Sequence, residues 1–256
     1  MTGMSGSDGS TPGSALSGLR LERRGRVALL TIDRPKSRNS LTLRVHAELV
    51  GVWDTLQQTP DVRAIVITGA EEPSVVPEKQ AFCAGADVNE LHEGEVYGQA
   101  VPSLALAARR TPVIAAVNGY CIGSGFGVLL AADLRLAVPA ASFGLPEVAL
   151  GSVPGNGGVR QAMLELPRAV VMELLLRPGR IGAARALELG LINAIVPHED
   201  LVSTALRWAD EIAALPAEAT RAAMDLAAAT PRLAPDAAAE LERLTLLRLH
   251  EAGAAQ

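Results

Sequence analysis

Four short apolar runs, at Val27–Ile32, 64–68, 112–117 and 134–138, constrain the fold more than any other feature of the chain. Each is rich in Val, Ile, Leu or Ala and too short for a stable helix, so each reads as a buried strand. Between the first two, residues 41–56 place Leu41, Val45, Leu49, Val52 (with Trp53 beside it) and Leu56 at spacings of three and four, which predicts an amphipathic helix. Asn39, Ser40 or Thr42 can cap it. Strand, helix and strand recur, and that alternation predicts an α/β fold. Past Arg180 the runs at 183–189, 201–215, 217–229 and 234–249 are Ala- and Leu-rich and read as helices. The segment 71–80, EEPSVVPEKQ, reads as an exposed loop.

With 256 residues, 49% of them hydrophobic, the chain can bury one sizeable core. A formal net charge of −5 argues against a nucleic-acid partner, because phosphate backbones select an excess of Lys and Arg. Apolar runs such as 112–117 and 128–132 fall far short of the roughly 20 residues that span a bilayer, so a soluble protein without a membrane partner is expected. Cys83 and Cys121 do not form a disulfide framework, and a reducing cytoplasm is the expected setting. Residues 1–18, rich in Gly, Ser and Thr, lack the basic start and apolar segment of a secretory signal and read as a disordered tail.

Chemistry concentrates in residues 117–127, VNGYCIGSGFG, and in Glu147 of the FGLPE run at 143–147. A Gly-rich turn opening an apolar helix presents backbone N–H groups where developing negative charge is stabilised. A second small-residue turn, FCAGADVNEL at 82–91, also leads into a helical pattern. Together the turns can offer one N–H each, from Ala86 and Ser124, to a carbonyl oxygen that becomes an enolate.

Other motif readings fail. Ile122 and Phe126 occupy the glycine positions that a G-x-S-x-G nucleophile elbow around Ser124 requires. Gly123, Gly125 and Gly127 do not make the G-x-G-x-x-G dinucleotide fingerprint. His46, His92, His198 and His250 are scattered, with His92 on an acidic, solvated helix face, so no metal site is expected. Asp133, alone in an apolar passage, reads as a structural acid.

The chain resembles the crotonase (enoyl-CoA hydratase/isomerase) superfamily. The motifs that carry the resemblance are RPKSRNSL at 34–41, FCAGAD at 82–87, VNGYCIGSG at 117–125, FGLPE at 143–147 and GSVPGNGG at 151–158, followed by 184–196. They stand in the family's order over about 19–215. The resemblance implies a ClpP/crotonase-like ββα spiral core at 19–195 and a helical C-terminal region at 196–256 that mediates trimers, often paired as hexamers. It implies an acyl-CoA thioester as substrate, with coenzyme A part of that substrate and no separate cofactor.

By the same resemblance, Ala86 and Ser124 supply the oxyanion hole. Serine in place of the usual glycine at 124 keeps the N–H. Lys36, Arg38, Ser40, Ala84, Asp87, Val88 and Asn89 fall where the family's coenzyme A segments run. Two-carboxylate hydratases carry one glutamate where this chain has Glu147 and another where it has Gly127. Losing one such group typically costs about 10²–10⁴ in rate, so ordinary hydration is not expected. A single glutamate suffices to shuttle a proton between C2 and C4 of an enoyl thioester, or to hydrate an unusual substrate that polarises its own reacting carbon. A non-catalytic acyl-CoA-binding or partner subunit, and an acyl-CoA hydrolase or decarboxylase, are the alternatives. Family members commonly continue into a further basic helix that reaches the CoA phosphates, whereas this sequence ends at Gln256.

Overall fold

The structure is a computed structural model that describes residues 16–87, 89, 104, 109–155, 157–177 and 179–254. Residues 1–15 of the tail read at 1–18, Val88, His92 and the rest of the expected helix beyond Asp87 except Asn89 lie outside the described residues.

The four predicted runs are strands of one six-stranded sheet. Its strands are β1 (Leu19–Arg24), β2 (Val27–Ile32), β3 (Ala64–Gly69), β5 (Val113–Val117), β7 (Leu134–Ala137) and β10 (Ala194–Ile195), in the order β1-β2-β3-β5-β7-β10. All neighbours pair in parallel except the β1–β2 hairpin. Every residue of β2, β3 and β5 is buried, which is why these strands read as continuous apolar runs rather than alternating ones.

A second, four-stranded sheet runs β4 (Ala81–Cys83), β6 (Tyr120–Ile122), β8 (Ser142–Gly144) and β9 (Ile181–Gly182). The pairs β4–β6 and β6–β8 are parallel, and β8–β9 is antiparallel. Chain order steps through both sheets together: β3 then β4, β5 then β6, β7 then β8. The repeated step is the spiral that the resemblance implies.

Helix α1 (Leu43–Gln58) returns from β2 to β3. Thr42 is its N-cap, accepting a 3.1 Å hydrogen bond from the Val45 N–H. Leu49 and Trp53 are fully buried beneath it. Helix α2 (Ser124–Ala131) follows β6, and α3 (Gly158–Glu165), α4 (Arg168–Leu176) and α5 (Ala183–Glu188) follow later strands.

Helix α6 (Leu201–Ala213) buries Leu201, Ala205, Ala209 and Ala213, a stripe of fourfold spacing that packs it on β2, β3 and β5. It is a layer of the core rather than an appendage. Helices α7 (Ala217–Ala229) and α8 (Pro235–Ala254) pair with each other beyond it. Asp133 accepts a 2.9 Å hydrogen bond from the Val113 N–H and faces Arg109, the structural role expected of it. Among the described residues no helix is long and apolar enough to cross a membrane.

Candidate active site

Three neighbouring strands of the smaller sheet end at the same place. The turn 84–86 leaves the carboxyl end of β4, Gly123 leaves β6, and Leu145-Pro146-Glu147 leaves β8. Carboxyl ends of adjacent parallel strands are where α/β proteins gather ligand-binding loops. The Gly123 N–H donates to the Gly144 carbonyl at 2.9 Å, which locks the second turn to the third.

The first turn is held by a lone bridge. The Leu41 N–H donates to Gly85 O at 2.8 Å, and the Asp87 N–H donates to Leu41 O at 2.9 Å. Ala86, between those two donors and acceptors, therefore turns its own N–H away from Leu41. Ser124 is the first residue of α2, where an N–H has no intrahelical partner. Among the described residues neither N–H donates to a protein acceptor. The turns abut closely: a methyl group on Gly85 would lie 3.8 Å from Ser124 N.

Gly123 caps α2 with φ 55° and ψ −118°, a conformation open to glycine and strained for other residues. Gly125 is required for a different reason, since a Cβ there would collide with the Cys83 carbonyl of β4. Both thiols nearby are inert, because burial pushes Cys83 up to about 12 and Cys121 well above its ordinary value.

Glu147 opens a 3-10 turn, Glu147–Leu150, closed by Gly151 in the left-handed region. Its carboxylate reaches back over the second turn, with Oε1 3.1 Å from where a Cβ on Gly123 would stand. Oε2 is shielded from solvent and has no hydrogen-bond partner among the described residues. Burial raises the Glu147 pKa above the ordinary glutamate value, and its own backbone N–H only partly offsets that rise. A half-buried, under-solvated carboxylate set over the Gly123 turn is suited to proton transfer.

Ser124 and Glu147 line one small cleft with a volume of about 30 Å³. Gly123, Ser124, Gly127, Val128, Leu145 and Glu147 contribute, with Leu104 and with Pro154, Gly155 and Gly158 of the Gly-rich run at 151–158. Among the described residues nothing lies within 4 Å of a Cβ built on Gly127.

The residues expected along coenzyme A divide into two kinds. Lys36 and Arg38 are exposed on the 3-10 turn Pro35–Ser37 and its left-handed cap. Ser40 and Asp87 are buried and engage Arg34: Ser40 Oγ donates to Asp87 Oδ2 at 3.2 Å, and the Arg34 guanidinium does so at 3.0 Å. Arg34 also donates to the Ser40 carbonyl. Asn89 donates from backbone and side chain to Asp87 Oδ1, each at 3.2 Å. Burial works to raise the Asp87 pKa, and the Asn89 N–H, Arg34 and Ser40 outweigh it and hold the carboxyl below its ordinary value. The network braces the 34–41 and 84–87 loops against each other. Ala84 donates from its N–H to Arg38 O at 3.1 Å in the same brace.

One lining residue was not anticipated. His46, on the buried side of α1, faces the same cleft and is only 8% exposed. Its signal was present in the helical pattern: it stands next to Val45 and three residues before Leu49, on the core side of an amphipathic helix.

Residues 22–251 match the family model for enoyl-CoA hydratase/isomerase. A carnitinyl-CoA dehydratase from Proteus mirabilis is 35% identical over 238 residues, covering 91% of this chain and 88% of that one. A short-chain-enoyl-CoA hydratase from Clostridium acetobutylicum is 35% identical over 204 residues, covering 77% and 76%. The solved structure of an enoyl-CoA hydratase from Geobacillus kaustophilus superposes with a TM-score of 0.82 at 29% identity, covering 93% of this chain and 91% of that one. With this site on this fold, the chain belongs to the crotonase superfamily, as an acyl-CoA enzyme of the enoyl-CoA hydratase/isomerase family.

Proposed function

We propose that the enzyme moves a double bond in an enoyl-CoA thioester by proton transfer through Glu147, with the enolate oxygen held by the Ala86 and Ser124 N–H groups. The observation that carries this reading is Glu147, whose shielded Oε2 has no partner among the described residues, on one cleft with Gly127, where a Cβ would meet no described atom within 4 Å. Among the described residues one carboxylate, Glu147, lines the cleft, where two-carboxylate hydratases use a pair. The Glu147 carboxylate takes a proton from C2 of a 3-enoyl thioester, and the C–H electron pair enters the C1–C2 enolate. The oxyanion is stabilised by fixed N–H dipoles that need no reorganisation. As the electrons return, C2=C3 forms and C4 gains a proton.

The likeness to a carnitinyl-CoA dehydratase favours a second reading, hydration or dehydration of a substrate whose acyl group polarises its own reacting carbon. Exposed Lys36 and Arg38 suit the coenzyme A phosphates, as the resemblance suggests. Leu244, Leu246 and Leu247, exposed on α8, support assembly through the C-terminal helices as trimers or hexamers, which light scattering would measure.

A panel of 2-enoyl- and 3-enoyl-CoA thioesters followed by absorbance, beside calorimetric titration with coenzyme A, tests the reading. Faster turnover of 3-enoyl thioesters supports isomerisation. Turnover confined to 2-enoyl thioesters supports hydration, and tight binding with no turnover counts against both.

A further inference from the structure

From the bonds that Asn39 makes we infer that it is a positioning residue for the oxyanion hole, setting the direction of the Ala86 N–H from the far end of β4. The inference rests on the reading of Ala86 and Ser124 as the oxyanion donors.

The sequence offers Asn39 as a cap for α1, and Thr42 takes that role instead. Asn39 is only 1% exposed, and its amide joins three segments of the chain. Nδ2 donates to Ala70 O at 2.9 Å, just past β3, and to Ala81 O at 2.7 Å, at the start of β4. Oδ1 accepts from the Arg34 N–H at 3.0 Å, and the Asn39 N–H donates back to Arg34 O at 2.9 Å. This set of bonds needs an amide, with donors at one end and an acceptor at the other, because an ionised aspartate only accepts.

The clamp has no slack. A Cβ on Gly69 would lie 2.7 Å from Asn39 Nδ2 and 2.5 Å from Ala81 O, so β3 closes the space beside both groups. The backbone is shaped around the same point: among the described residues, Arg38 and Asn39 are the non-glycine residues in the left-handed region, at φ 52° and 55°. Asparagine enters that region more readily than most residues, and such conformations persist where the surrounding structure over-determines them.

The consequence is a shared register between the loop at 34–41 and the turn that carries Ala86. Among the described residues, the backbone hydrogen bonds that residues 84–87 make outside the sheet all go to this loop. The Ala84 N–H donates to Arg38 O at 3.1 Å, the Leu41 N–H to Gly85 O at 2.8 Å and the Asp87 N–H to Leu41 O at 2.9 Å. Asn39 pins the loop at residue 81 and Leu41 pins it at 85 and 87. Ala86 lies inside the pinned stretch, so its N–H points where the register sends it. Ser124 belongs to a different element, α2, and does not follow. A slip at Asn39 therefore moves one oxyanion donor relative to the other, and a displacement of about 1 Å in such a site costs about 10²-fold in rate.

The test reads the enolate of bound acetoacetyl-CoA by its ultraviolet band, beside kcat and KM on the enoyl-CoA thioester that the wild type turns over best. Wild type, Asn39→Asp, Asn39→Gly and Ser124→Pro are compared. Asn39→Asp keeps the shape and removes both donors, whereas Asn39→Gly keeps the left-handed backbone without strain and removes the amide. Both are expected to lower kcat by about 10² and to lose the enolate band, while KM and calorimetric binding of coenzyme A stay near wild type. A folded variant that melts earlier yet keeps the wild-type kcat and band marks a purely structural residue and overturns the inference. Loss of coenzyme A binding in step with kcat overturns it too, because the damage is then to the whole loop. Should neither variant fold, hydrogen exchange in the wild type decides. Asn39 side-chain protons as protected as the Ala84 and Leu41 N–H groups support the clamp, and unprotected ones overturn it. A wild type without the enolate band, or a Ser124→Pro variant that keeps it, is a failure of the oxyanion reading and takes the inference with it. Loss of the band in Ser124→Pro with no loss in either Asn39 variant is a failure of the inference alone.

Discussion

The Glu147 carboxylate and Gly123 are in direct apposition, with Oε1 3.1 Å from the position a Cβ on residue 123 would occupy. The glycine gives α2 its start and the base its room at one point. Gly123→Ala is expected to cost about 1–3 kcal/mol of stability, because φ 55° with ψ −118° is strained for alanine. It should also displace the carboxylate, and misplacement on the order of 1 Å can cost about 10²-fold in kcat. Thermal melts with initial rates on the same samples check both. An alanine variant with wild-type rate would show that the base is not held there.

Ser124→Pro removes the proposed oxyanion donor with little harm to the helix, since proline is well accepted at the first helical position. Loss of the N–H should lower kcat by about 10²–10³, as removal of an oxyanion-hole donor does. Ser124→Gly, which keeps the N–H, should stay near wild type in kcat. Equal losses in the two variants would locate the effect in the hydroxyl instead.

A glutamate at 127 meets no described atom within 4 Å of its Cβ and needs no unusual backbone angle. Gly127→Glu should therefore fold and should raise hydration of straight-chain 2-enoyl-CoA by about 10²–10⁴-fold, the usual worth of one acid–base group. The decay of enoyl absorbance measures it. No gain in a folded variant would mean that residue 127 does not face the reacting carbons.

Asp87 ties the two loops of the site through Arg34, with the two side chains 21% and 9% exposed. Asp87→Asn should cost about 1–3 kcal/mol at neutral pH, as Arg34 loses its charged partner. The Asp87 carboxyl is held below its ordinary value of 3.8 in the folded protein. Its contribution is therefore complete above 3.8 and is lost as pH falls from there through the lowered folded value. Denaturant titrations of wild type and variant from pH 2 to 7 should converge at the acid end. Parallel curves would contradict the brace.

Much of the architecture was legible because its signals are local. Strands β2, β3 and β5 are buried on both faces and so appear as unbroken apolar runs. The turns at 82–87 and 117–127 announce themselves through glycines that close packing demands, as at Gly125 against the Cys83 carbonyl. Helices α3 and α4 were not anticipated. In α3 only Gly158 and Ala162 are buried, too weak a stripe to be seen in Gly158–Glu165. The Arg34–Asp87 pair joins loops separated by 53 residues, and no local pattern reports such a contact. His46 lines the cleft for a related reason, since which cavity the buried side of α1 meets is a tertiary matter that no local pattern reports.

Glu147 carries a stability cost with a definite sign. Burial raises its folded pKa above the ordinary 4.5, so the folded state holds the proton longer than the unfolded chain does. Stability therefore falls as pH rises from 4.5 through the raised folded value. Glu147→Gln, which has no charge to desolvate, should remove that fall and be more stable than wild type at neutral pH. The acid limb of kcat/KM should lie above the ordinary glutamate value for the same reason. Melting curves at pH 4 and pH 8 would show the difference, and a variant less stable than wild type at pH 8 would contradict it.

The most direct test of the central claim is the turnover of 2-enoyl- and 3-enoyl-CoA thioesters by Glu147→Gln. With Glu147 as the proton-transfer group, kcat should fall by about 10²–10⁴ on whichever thioester the wild type converts, while calorimetric binding of the thioester holds. Wild-type rates on both thioesters would contradict the account.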